Sequence, residues 1–116
     1  MVRRRKKNNA EYLAHKDTAL KLITERLEHF NQFYNFKYNK ITIRNQLSRW
    51  GSCSRHGNLS FSYKLALLPL RLSDYIIVHE LCHLGQFNHS PAFWALVEQQ
   101  VPEHRDIRKA LAKHIF

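Results

Sequence analysis

Residues 79–89 read HELCHLGQFNH, three histidines at intervals of four and six with a glutamate directly after the first. An α-helix turns about 100° per residue, so two residues four apart lie about 40° from each other around its surface and one turn apart along it. His79 and His83 would therefore face the same point from one helix. Glu80 would lie about 100° round from His79 and about 60° from His83, beside that point rather than aimed at it. The pattern has two readings, a metal site or coincidence in a chain that holds 8 histidines.

The flanking sequence favours the metal site. SDYIIVHELCHLG (73–85) reads as a helix with Ser73 as N-cap, Asp74 in the first turn where the helix dipole favours a negative charge, and Gly85 as a left-handed stop. HSPAFWALVEQQVP (89–102) starts a second helix, with Ser90 as N-cap and Pro91 at the first helical position. The loop GQFN between them can fold back and bring His89 to the same point. Three neutral imidazoles with a fourth position left open form the donor set of a catalytic zinc site. His79, His83 and His89 are thus the expected Zn2+ ligands and Glu80 the expected general base.

Outward from this centre, the period of the apolar residues changes twice. Between about Ala10 and Tyr34 the residues Leu13, Leu20, Ile23, Leu27, Phe30 and Tyr34 recur at helical steps and predict a long amphipathic helix with that stripe in the core. Ile41 and Ile43 in KYNKITIRN then alternate with polar residues, as do Leu59, Phe61 and Tyr63 in NLSFSY, so both segments read as half-buried strands. QLSRWGSCSRHG (46–57), with Gly51 and Gly57 as turn points, would join them as an antiparallel pair. The last segment, EHRDIRKALAKHIF, reads as a terminal helix packing Ile107, Leu111 and Ile115.

Composition bounds the class. A chain of 116 residues with 44% hydrophobic content is one ordinary domain with its own core, and no run approaches the roughly 20 apolar residues needed to cross a bilayer. The basic N-terminus is not followed by an apolar stretch, and Cys53 and Cys82 lack CxxC spacing, so a reducing, cytoplasmic location is expected. The net charge of +10 is uneven. Residues 1–56 hold 13 Lys/Arg against 4 Asp/Glu, while residues 57–116 hold 6 against 5. RRRKK (3–7) reads first as part of a solvated, flexible tail over residues 1–9 that precedes the domain at 10–116; contact with nucleic acid or a nucleotide is the second reading.

Three segments together, RWGSCS (49–54), LALLPLRLSDYIIVHELCHL (65–84) and NHSPAFWALVEQQVPEH (88–104), resemble the YgjP-like metallopeptidase domain, a zincin family more distantly related to the SprT-like and WLM proteases. The resemblance implies an α+β, zincin-like fold: a long N-terminal helix, a small antiparallel sheet with a strand running past the HExxH helix, and C-terminal helices. It also implies zinc ligation by His79, His83 and His89 and a catalytic role for Glu80. Metzincin membership is excluded, because the glycine stands one position early and the only methionine is Met1.

The remaining candidates read first as packing. Trp50 and Gly51 would set the sheet against the HExxH helix, and Phe93, Trp94 and Val97 would form a core face. Arg49, Tyr75 and His104 are possible donors to a developing oxyanion, and Cys82 reads as a small buried hydrophobe. The leading function is hydrolysis of a peptide bond in a protein or peptide substrate. Two alternatives stand beside it: a metal-dependent nucleotide phosphohydrolase, and a non-catalytic zinc-containing module that binds nucleic acid.

Overall fold

The structure, a computed structural model, describes residues 8–46 and 48–114. The basic run 3–7 and Ile115 lie outside the described residues.

Helix α1 (Asn9–Tyr34) opens on Asn8, whose side-chain oxygen accepts from the Glu11 amide at 3.0 Å. It closes on Asn35, which adopts a left-handed conformation at φ 59°, a geometry that asparagine tolerates better than most residues. Its fully buried positions are Ala19, Ile23 and Leu27, followed by Phe30. This corrects the expected stripe, since Leu13 and Leu20 are 61% and 41% exposed. Hydrophobicity alone selects leucine over its neighbours, yet the phase of the buried face is set by Ala19 and by Tyr12, whose ring packs edge-on against Tyr63 at 5.7 Å.

Strands β1 (Lys40–Arg44), β2 (Gly51–Cys53) and β3 (Asn58–Ser62) form one sheet in the order β1-β3-β2. Leu59 and Phe61 of β3 are fully buried, but Ser60 and Ser62 between and after them are buried as well, so β3, central in the sheet, is covered on both faces rather than half-buried as its alternation predicts. The pairing differs from expectation. β1 runs parallel to β3, with Ile41 opposite Leu59 and Ile43 opposite Phe61, while β2 is antiparallel to β3, with Gly51 opposite Phe61. The joining segment is not a hairpin loop. It carries β2 along the far side of β3 and returns through a turn at Gly57, φ 81°, so the chain enters β3 in the direction of β1.

After a 3-10 turn (Tyr63–Leu67), helix α2 (Leu70–Cys82) begins behind Pro69, four residues earlier than a Ser73 cap would have started it. Ser73 is fully buried within the helix and its hydroxyl donates to the Leu65 carbonyl at 2.6 Å. Asp74, displaced from the first turn, accepts two hydrogen bonds from Arg26 at 2.8 and 2.9 Å and ties α2 to α1. Ile77, Val78 and Leu81 are completely buried, so α2 is the central helix of the domain. It packs against α1, β2, α3 (Pro91–Gln100) and α4 (His104–Leu111). Ile107 is buried and Leu111 packs partly against the core, as the sequence predicts for the last helix.

Candidate metal centre

His79 lies in the last full turn of α2 and His83 at its C-cap, one turn apart on the same side. Ser90 caps α3 by accepting from the Phe93 amide, with Pro91 in the first turn, and this start brings His89 back over the end of α2. The glycine at the bend serves a different purpose from the one expected. Gly85 is not in the left-handed region, where the described residues hold only Asn35 and Gly57. A β-carbon at Gly85 would instead stand 2.7 Å from Cζ of Phe36, so the residue is small because another chain segment crosses there.

The candidate nitrogens of His79, His83 and His89 all lie within 4.8 Å of one another. The Nε2 atoms of His83 and His89 are 3.1 Å apart; two ligands of a tetrahedral zinc with Zn–N bonds of about 2.0–2.1 Å would be about 3.3 Å apart. The donor set therefore fits a small divalent ion that favours imidazole. Phe93, fully buried in α3, floors the group, with its ring centre 4.4 Å from that of His83 and 5.1 Å from those of His79 and His89.

Two further contacts orient the rings. The Nδ1 of His83 lies 3.0 Å from the Gln86 carbonyl, which as an acceptor requires the proton on Nδ1 and leaves the Nε2 lone pair for a metal. Nδ1 of His79 likewise lies 3.2 Å from Oε2 of Glu80. Burial and the neighbouring His79 and His83 lower the pKa of His89, favouring the neutral, ligating form. The Gln86 carbonyl had no signal in the sequence, because a backbone acceptor carries no residue signature.

Glu80 is 7% exposed and faces a cavity of about 210 Å³ that it shares with Trp50, Gly51, Tyr75 and His79. Gly51 makes this possible, since a β-carbon there would meet Cγ of Glu80 at 3.1 Å. The expected role of the Trp-Gly pair in setting β2 against α2 thus has a specific contact. Of the three oxyanion-donor candidates, Tyr75 stands in the Glu80 cavity, with its phenol pushed up to about 12 by burial. Arg49 lines a polar hollow on the sheet with Lys40 and Arg44, apart from the histidines. His104 is buried and stacks on Trp94 at 5.2 Å beside His89, not beside Glu80. Phe93 and Val97 are core as expected, whereas Trp94 is half-buried and lines a second cavity. Cys82 is fully buried, and Cys53 lies in β2 outside the histidine group.

Comparison with known families joins this geometry to a lineage, because the profile of the YgjP-like metallopeptidase domain matches residues 3–114. The chain belongs to the YgjP-like metallopeptidase domain family. Its structure is similar to that of the metallopeptidase zymogen abylysin of Pyrococcus abyssi, with a TM-score of 0.70 and 24% identity over 77% of this chain and 90% of that one. It is also similar to the metallopeptidase zymogen jannalysin of Methanocaldococcus jannaschii, with a TM-score of 0.62 and 21% identity over 82% of this chain and 94% of that one. At these identities the likeness is one of fold, and the fold is the α+β, zincin-like one expected. No curated protein gives a significant sequence match. Membership of the YgjP-like family places the chain among metal-dependent hydrolases of peptide bonds. Among the described residues, no helix is long and apolar enough to cross a membrane.

Proposed function

We propose that the chain is a zinc-dependent metallopeptidase in which His79, His83 and His89 hold the ion and Glu80 is the general base. One observation carries the reading: three imidazole nitrogens converge within 4.8 Å while the neighbouring carboxylate of Glu80 faces a cavity rather than the core. The ion, when bound, supplies a Lewis acid that polarises the scissile carbonyl and makes water acidic enough to attack near neutral pH. Glu80 takes the proton released in that attack and returns it to the leaving nitrogen. His79, donating from Nδ1 to Oε2, holds the carboxylate in place. Tyr75, also lining the Glu80 cavity, is the donor placed to hydrogen-bond the developing oxyanion.

The domain begins with Asn8 and Asn9, the cap and first residue of α1, and it works in a reducing, cytoplasmic compartment where Cys53 and Cys82 stay as free thiols. The substrate is a protein or peptide, which family membership supports over a nucleotide or nucleic acid. Metal analysis of the purified chain, with parallel assays on a fluorescent peptide library and on nucleoside triphosphates, tests the reading. Peptide cleavage that requires about one zinc per chain supports it. Phosphate release without peptide cleavage, or zinc without any turnover, rejects it.

A further inference from the structure

A second cavity, about 450 Å³, opens beside His89 and shares no lining residue with the one on Glu80. Trp94 forms part of its wall, and α4 contributes His104, Arg105 and Arg108. The guanidinium carbon of Arg108 stands 4.6 Å from the centre of the Trp94 ring. A guanidinium held against an aromatic ring by this attraction can keep N–H groups free to bind a carboxylate in two-pronged fashion. Among the described residues, neither Arg105 nor Arg108 has an ion-pair partner. Glu98 is the one acidic residue lining the cavity, so the two arginines leave it with a net positive charge.

His104 adds an independent indication. It is 6% exposed, and its Nδ1 is sealed from solvent without a hydrogen-bond partner. A buried N–H without an acceptor is less tolerable than a buried lone pair without a donor, so the proton resides on Nε2. That nitrogen is not sealed, and the ring lines the cavity, so the side chain offers a donor to whatever enters. Beyond Arg105 and Arg108 the surface continues into another hollow of about 460 Å³, lined also by Lys109 and by no acidic residue. A chain seated here is not forced to end.

We infer that this cavity is the subsite for an Asp or Glu side chain of the peptide substrate near the scissile bond, held by Arg105, Arg108 and Nε2 of His104. The inference rests on the metallopeptidase reading. A neutral quenched peptide that the zinc-loaded full chain cleaves would be scanned with Glu, Gln and Lys at each position. At one position Glu should raise kcat/KM at least about tenfold over Gln, with Lys worst. In Arg105→Gln and Arg108→Gln that Glu-to-Gln ratio should fall toward one, and in Glu98→Gln it should rise. Cleavage with no position favouring Glu overturns the subsite and leaves the peptidase reading intact.

If no peptide is cleaved, the peptidase reading fails and binding decides the subsite. Nuclear magnetic resonance titration of the Trp94 indole N–H and arginine Nε–H signals would compare N-acetyl-glutamate amide with N-acetyl-glutamine amide. Shifts with the glutamate compound alone support the site. Equal response to both, or response only to a free C-terminal carboxylate, overturns the side-chain assignment.

Discussion

Nε2 of His83 and Nε2 of His89 are 3.1 Å apart, although one residue closes α2 and the other precedes α3. Two imidazoles that close place lone pairs against each other unless a proton or a cation lies between them. A bound ion should therefore clamp the end of α2 to the start of α3. Zinc should raise the melting temperature, by about 2.7 kcal/mol of stability at a hundredfold excess over Kd. His79→Ala, His83→Ala and His89→Ala should each lose both the metal and that stabilisation, as read by atomic emission and thermal melts. Full zinc occupancy in His89→Ala would show that another residue completes the site.

Glu80→Gln separates binding from chemistry. Glutamine keeps the size of the side chain and can still accept from Nδ1 of His79, but it cannot take a proton from water. Zinc content and fold should be preserved while peptide hydrolysis falls by at least about a hundredfold. A variant that binds zinc and cleaves at the parent rate would refute Glu80 as the base.

Gly51→Ala should damage the same carboxylate from the other side. Its β-carbon would meet Cγ of Glu80 at 3.1 Å, the Ser60 carbonyl oxygen at 3.1 Å and the Phe61 ring at 3.2 Å. With a backbone atom and a buried ring on two sides, Glu80 is the group best able to yield. The variant should lose about 1–3 kcal/mol in urea melts, and kcat should fall more than zinc content does. Unaltered kcat would mean that the β2 contact does not position Glu80.

The cysteines make a prediction about alkaline pH. Burial pushes the thiols of Cys53 and Cys82 from 9.0 up to about 11, so the folded state holds their protons more tightly than the unfolded state does. Stability from these groups is complete below about pH 9 and declines as pH rises toward 11. Both thiols should react slowly with a disulfide reagent at pH 8 and rapidly in denaturant. Fast native labelling of Cys82 at pH 8 would contradict its complete burial.

The candidate centre was legible in HELCHLGQFNHSP because its parts are near neighbours in sequence and obey local rules. Helical pitch aligns His79 with His83, while the Ser90–Pro91 start returns His89 to them. The α+β class, the long first helix and the burial of Leu59 and Phe61 in β3 rest on the same short-range periodicities. What only the tertiary structure decided depends on residues far apart in the chain. Strand direction was one such matter, since Ile41 and Leu59 pair in parallel only because β2 uses up the intervening segment as a third strand. Another was the phase of α1, where Ala19 is buried and Leu20 is not. Gly85 is small because Phe36 crosses it, and the cavity of Arg105 and Arg108 exists because α4 docks beside His89. Periodicity records which residues share a face; which distant surface covers that face, and in which direction, is set by packing among segments that no local pattern couples.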